Sequence, residues 1–408
     1  MATGSGHGSA ASDAHPVGVD SVCDVAIIGG GIMGSALAYW LTRLDPSCSV
    51  CVIERDPTYA RASSALSAAS IRQQFTTPLN IRLSQAGLSF LRAADELLAV
   101  DGDRPDIRLH EGGYLYLATE AAAESLATAN AIQRAHGANV ELLRPAALLD
   151  RFPWLNVADL SLGSFGVRGE GWFDGYALLT GFARRARHQG VRYVKDEVRG
   201  IETVAGRVTG LVLGARGRIG CGAAVNAAGP WARGVAALAG IELPVHARKR
   251  TVFVFSCAER LSGVPLLIDP TGFWMRPDGE RYIGGLEPHV ETDEAPLDAD
   301  LGGFEEEFWP ALAARIPAFE AARLERAWAG YYDMNDFDCN AVVGLHPSLA
   351  NLYFVNGFSG HGMQHAAAVG EALALGILGR RDTAIDLSPL GFDRLLEGRP
   401  LLELNVIG

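Results

Sequence analysis

The chain has 408 residues, 49% of them apolar, with 35 Lys and Arg against 47 Asp and Glu and a formal net charge of −12. That length allows two or three domains with large cores. The acidic balance argues against nucleic-acid binding, which needs a positive field, but leaves room for a small anion held by one or two local arginines.

Residues 1–21 are small and polar, with no apolar run and no arginine. They read as a disordered tail rather than a leader peptide. The next stretch is "CDVAIIGGGIMGSALAYWLTRLDPSCSVCVIERD". Val22 to Ile28 predicts a short buried strand, Ser35 to Leu44 a helix and Ser49 to Ile53 a second strand. Gly29, Gly31 and Gly34 spell G-x-G-x-x-G between the first two, and Glu54 closes the second strand. The first glycine permits the tight turn, the second lets backbone approach a pyrophosphate, and the third lets helix pack on strand. The helix N-terminus offers free N–H groups to the phosphates, and Glu54 can accept from ribose hydroxyls. Ile32 and Met33 inside the fingerprint and Arg55 after the acid are further candidate cofactor contacts. The bland alternative is a glycine-rich turn with no ligand.

The apolar run from Val25 to Leu41 contains four glycines, so no spanning helix is expected. Six cysteines are scattered, and Cys48-x-x-Cys51 has no second pair or histidine at metal spacing. Reduced thiols in a cytoplasmic protein, and no metal, are the expectation.

"RASSALSAASIRQQF", from Arg61 to Phe75, is rich in small residues whose hydroxyls reach phosphates: Ser63, Ser64 and Ser67, with Ala68 beside them. Taken alone it equally suits a surface loop. "VNAAGPWAR" (225–233) reads as strand, turn and helix start, placing Ala228, Gly229 and Trp231 at a strand's carboxyl end. "NLYFVNGFSGHGMQHAAAVGEALA" (351–374) repeats that pattern. Its glycines, among them Gly360 and Gly362, leave bare backbone for a flat ring. The helix expected from Met363 to Leu378 would turn its positive end toward that ring. His361 is either a turn-shaping residue or a charge beside the ring, and its place in the turn favours the latter.

These four stretches together resemble the D-amino-acid oxidase superfamily, the group holding glycine oxidase and sarcosine oxidase. "ALSAASIRQQFTTPLNIRLSQ", "HARKRTVFVF" and "WAGYYDMNDFDCNAVVG" are similar to its FAD-dependent oxidoreductase domain-containing branch. That branch holds bacterial amine and amino-acid oxidoreductases and a mitochondrial relative linked to respiratory complex I assembly. The resemblance implies an α/β (α+β overall) fold: a Rossmann-like FAD-binding domain and a mainly antiparallel β substrate domain. It places the former in residues 22–100, 161–233 and 329–402, and the latter in 101–160 and 234–328. It implies FAD as cofactor, with Arg61 and Gln364 among its neighbours and Val198 at the adenine end.

Oxidising an amine next to a carboxylate needs a flavin, an aligned C–H bond and a carboxylate anchor, best supplied by arginine. Arg72 and Arg250 are the leading candidates, Arg276 a weaker one. Two departures from sarcosine-oxidase-like relatives matter. Gln364 stands where they carry a carboxylate-binding lysine, and no lysine occurs from Leu261 to Leu349, where they use one to activate oxygen. Gly330 stands near the position of their flavin-tethering cysteine. Non-covalent FAD follows, with a poor oxygen reaction and electrons leaving to a quinone or carrier protein. The substrate expected is a secondary amine or amino acid of sarcosine, glycine or opine type. Three other readings stay open: a flavin-containing assembly factor for a respiratory complex, a subunit of a multi-component amino-acid dehydrogenase, and, disfavoured by the serine loop, a nicotinamide-only reductase.

Overall fold

The computed structural model describes residues 21–380 and 382–404. Of the expected tail, residues 1–21, the first twenty lie outside the described residues, and Ser21 already belongs to the first strand. Nine elements frame the molecule: strands β1 (Ser21–Ile28), β2 (Val50–Glu54), β3 (Arg218–Asn226), β4 (Val245–Ser256), β5 (Arg323–Asn335) and β6 (Leu349–Asn356), and helices α1 (Ile32–Leu44), α2 (Pro78–Leu97) and α3 (Gly362–Ile377).

The first sheet runs in the order 342–346, β6, β3, β1, β2, 192–195. The β6–β3, β3–β1, β1–β2 and β2–(192–195) pairs are all parallel. β1 and β2 are buried because helices cover them, which is why they read as apolar runs rather than alternating ones. The meander of 198–204, 207–213 and β3 is antiparallel. α1 and α3 pack so closely that a Cβ at Gly370 would come within 3.1 Å of the Ala36 carbonyl carbon. The small residues of both helices permit that approach.

The second sheet has the order β5, β4, 281–285, 274–278, 266–268, 114–118, 162–166, 140–143. All its pairs are antiparallel except 266–268 with 114–118. Its core is aromatic, built on Phe253, Phe255, Phe308 and Phe319. Strand 162–166, placed with the cofactor-binding pieces by the sequence reading, pairs within this second sheet. β5 runs through the division expected at 328/329, because its long ladder with β4 is continuous from Val245 to Ser256.

α1 begins at Ile32, three residues earlier than expected, so the helix starts directly on the glycine turn. The six cysteines are free. Burial pushes the Cys51 and Cys48 thiols up to about 11, which makes both poor nucleophiles.

The chain's last described segment is held by a buried ion pair. Arg394 donates to Asp338 through Nε at 2.7 Å and Nη2 at 3.1 Å, and both residues are buried. Leu401 N also donates to Asp338 Oδ2, at 2.9 Å. Glu403 then accepts from Thr76 N, Thr77 N and Asn80 at the start of α2. Removing one partner leaves a buried charge uncompensated. Arg394→Met is therefore expected to lower unfolding free energy by about 3–5 kcal/mol, measured by denaturant titration.

Candidate active site

The carboxyl ends of the parallel strands β1, β2, β3 and β6 meet along one edge, and a cavity of about 830 Å³ opens there. Ile28, Glu54, Ala227 and Val355 mark those four strand ends on its wall. The second sheet closes the other side with Arg250, Thr251 and Val252 of β4, Gly330 to Asp333 of β5, and Trp274. This is the edge where open α/β sheets bind ligands, and the volume suits a large cofactor.

The glycine turn shows which residues serve the fold and which serve a ligand. A Cβ at Gly29 would overlap the Ala227 carbonyl, and one at Gly34 would overlap the Gly29 carbonyl. Gly31 is different: a Cβ there would meet only Ser64 Oγ, at 3.5 Å, and would point into the cavity. Nothing in the protein itself requires a glycine at 31. α1 has no acid in its first turn, so its positive end is not neutralised. Ser64 Oγ accepts from Ile32 N at 3.1 Å. Ser63 Oγ is buried on the cavity wall and has no hydrogen-bond partner among the described residues. A bare glycine, a helix start with no neutralising acid and an orphaned hydroxyl on one wall fit a dinucleotide pyrophosphate.

Glu54 accepts from Gly30 N at 2.7 Å and from Asp56 N at 2.8 Å. Burial holds its carboxyl above the usual range, against those two bonds. Arg55 lies 3.7 Å above the Trp231 ring and Arg61 5.9 Å from it, which gives the far end of the cavity a flat cationic flank. Met33, Ser67, Ala68, Val198, Ala228, Gly229, Gly360, Gly362 and Met363 also line the wall.

Five expected residues lie elsewhere. Gly34 packs under Gly29. Gln364 is turned inward, where Oε1 accepts from Arg72 N at 2.8 Å and Ser84 Oγ at 3.2 Å. Its role is to tie α3 to the segment of Arg72 and to α2. Arg72 is buried one layer behind the wall, 4.0 Å from the Phe75 ring and 5.9 Å from Tyr116, and Nη1 donates to the Gln74 carbonyl. His361 is sealed among Phe75, Phe358 and His365. Burial, helped by the Arg72 charge, pushes it down to about 3, so it is neutral and not the charge expected beside the ring. Arg276 donates to the Ala68 carbonyl at 2.9 Å, which makes it a support for the serine loop.

Sequence reasoning missed Asp196, Glu294, Leu286 and Trp274 on the wall. Asp196 precedes Val198 by two positions and was open to the same argument. The other three come from the second sheet and the loop after it, where alternation says which residues are inward but not what they face. Among the described residues no group of three His, Cys, Asp or Glu is placed to hold a metal ion.

The FAD dependent oxidoreductase family model (DAO) matches residues 24–375. The chain belongs to that family. FAD-dependent oxidoreductase domain-containing protein 1 of Xenopus laevis is 40% identical over 422 residues, covering 94% of this chain and 85% of that one. L-proline dehydrogenase from P. horikoshii superposes with a TM-score of 0.82 at 25% identity, covering 94% of this chain and 100% of that one. Glycine oxidase from Geobacillus kaustophilus gives 0.79 at 25% identity, covering 91% and 98%. The mixed α/β fold is theirs, FAD is the cofactor, and the protein is an FAD-dependent oxidoreductase.

Glu54 is expected to anchor the ribose. Glu54→Ala removes charge-assisted hydrogen bonds of about 1.5–3 kcal/mol each. FAD affinity should fall at least about tenfold, read by equilibrium dialysis, and an unchanged dissociation constant would reject the role.

Proposed function

We propose that this oxidoreductase oxidises the C–N bond of a secondary amine or amino acid and passes the electrons to a quinone or protein carrier rather than to oxygen. The observation that carries this reading is Arg250. Its side chain is only 6% exposed, yet it lines the cavity on the second-sheet wall, 5.2 Å from the Tyr332 ring. Its guanidinium is already arranged for a carboxylate: it meets Glu291 at 2.6 Å. A substrate carboxylate can take that place, because Glu291 sits on an irregular loop while Arg250 is fixed in a strand. Arg72 stands one layer behind as a second positive charge, its backbone N–H held by Gln364.

Bound FAD supplies the hydride acceptor. The chain's own contribution is to hold the amine's carboxylate at Arg250 and to exclude water with Tyr332, Trp274 and Leu286. The names of the relatives, proline dehydrogenase and glycine oxidase among them, support an amino-acid substrate.

The electron-acceptor half rests on cations. The chain has two lysines, Lys195 and Lys249. Lys195 sits in the strand beside β2, Lys249 donates to the Asp298 carbonyl, and neither lines the cavity. Arg250 is offset by Glu291. The second-sheet wall thus has little uncompensated positive charge to stabilise developing superoxide, the cations Arg55 and Arg61 lying at the other end beside Trp231. FAD is read as non-covalent, since neither cysteine nor histidine is among the residues lining the cavity. The free thiols fit a cytoplasmic protein, and no described helix is long and apolar enough to cross a membrane.

Anaerobic mixing with N-alkyl amino acids should bleach the flavin, and a quinone should reoxidise it faster than air-saturated buffer in stopped flow. Reoxidation by air as fast as by quinone would refute the acceptor reading. Arg250→Met should raise KM for a carboxylated amine about ten- to a hundredfold, by loss of ground-state binding. An unchanged KM would remove Arg250 from the site.

A further inference from the structure

Asp333 has no task in the proposed amine oxidation, although it lines the cavity beside the glycine turn. Its Oδ2 accepts from Gly357 N at 2.8 Å and Phe358 N at 3.2 Å, and its carbonyl accepts from Ser359 N at 3.1 Å. No hydrogen bond among the described residues ends on Oδ1. One oxygen therefore fixes the turn that carries Phe358, Gly360 and Gly362, and the other is left for the cavity.

The cations on the neighbouring strand are committed elsewhere. Its cross-strand partner on β4 is Ala247. On either side, Arg248 pairs with Asp336 at 2.5 Å and His246 with Asp293 at 2.7 Å. Lys249 reaches the Asp298 carbonyl, and Arg250 pairs with Glu291. From the glycine turn comes His361, neutral and sealed inward. Its neighbours on β5 are the phenols Tyr331 and Tyr332. Across the cavity Arg55 and Arg61 lie on Trp231. Burial is the dominant influence on Asp333 and pushes it up to about 6, with the backbone N–H groups of Phe358, Gly357 and Asp333 itself pulling the other way.

Asp333 still has some accessible surface, and the cavity is where it faces. A flat ligand filling the cavity removes that water. A carboxylate that loses water without gaining a cation takes a proton. We propose that Asp333 is a neutral carboxylic acid in the FAD-bound protein and donates a hydrogen bond from Oδ1 to the cofactor, so that FAD binding takes up a proton. This rests on FAD occupying the cavity. A neutral donor favours negative charge added to the cofactor on reduction, where an anionic carboxylate would repel it.

The sign follows from the raised acid. FAD binds the protonated form more tightly, so affinity is highest at and below about pH 6. It falls, by up to about tenfold per pH unit, as pH rises from there toward the higher value in the bound state. Asp333→Asn keeps an acceptor for Gly357 and Phe358 and a donor for the cofactor, but cannot titrate.

The test uses the full-length protein with FAD. Infrared spectra at pH 7 and 8 should show a neutral carboxyl band that shifts with ¹³C-aspartate labelling and is missing in Asp333→Asn. The FAD dissociation constant should rise with pH above about 6 in the wild type and stay flat in the variant. If the variant does not fold, the labelled band and the wild-type pH dependence decide alone. FAD bound with no neutral aspartic acid and a pH-independent dissociation constant would overturn the proposal while leaving the cofactor assignment intact. A protein that binds no FAD would overturn both.

Discussion

The carbonyl oxygen of Gly29 lies where a side chain at position 34 would begin, and the Ala227 carbonyl lies where one at position 29 would begin. These two close approaches set α1 directly on the edge of the parallel sheet. Its first N–H groups then face the space beyond the strand ends, and the rest of the site is arranged around that edge. β3 ends beside β1, and β6 beside β3, because each of these two pairs is parallel. Their turns, 227–231 and 357–362, reach the same space. A looser helix would leave those turns facing water rather than a common cavity.

The second sheet contributes the opposite wall through a single long ladder, β4 with β5. That ladder carries the residues with chemical consequences: Arg250, Tyr332 and Asp333. Its charges are balanced nearly pair by pair, so the cavity is close to neutral on the side that faces the reacting end. On the proposed function, neutrality of this kind would favour a zwitterionic amino acid over a strongly anionic substrate and would deprive oxygen of a cationic partner. The opposite end, flanked by Arg55, Arg61 and the start of α1, is the positive one and suits phosphates.

The first sheet was legible in the sequence because its constraints are local. Gly29, Gly31 and Gly34 belong to one short turn whose spacing states its use, and the apolar runs of β1 and β2 state that both faces are covered. The serine loop and the two C-terminal glycine turns were legible for the same reason. The second sheet was less so. The place of strand 162–166 depends on pairing with 114–118 and 140–143, which alternation alone cannot specify. Arg72, His361 and Gln364 were read from their position in a motif, but their direction is set by Phe75, Tyr116 and Ser84, residues remote in sequence from at least one of them. Tyr331, Tyr332 and Asp333 were open to the sequence as plausible lining residues, but the environment of Asp333 is legible only in three dimensions, since it comes from a turn more than twenty residues on.

The central claim is that the cavity beyond the strand ends is the cofactor's, and Gly31 tests it most directly. Of the fingerprint glycines it is the one whose missing side chain the protein does not need, its nearest neighbour being Ser64 Oγ at 3.5 Å. Gly31→Val should unfold at the same denaturant concentration as FAD-free wild type and carry no FAD after purification. A Gly31→Val protein that is folded and retains one FAD per chain would contradict the account.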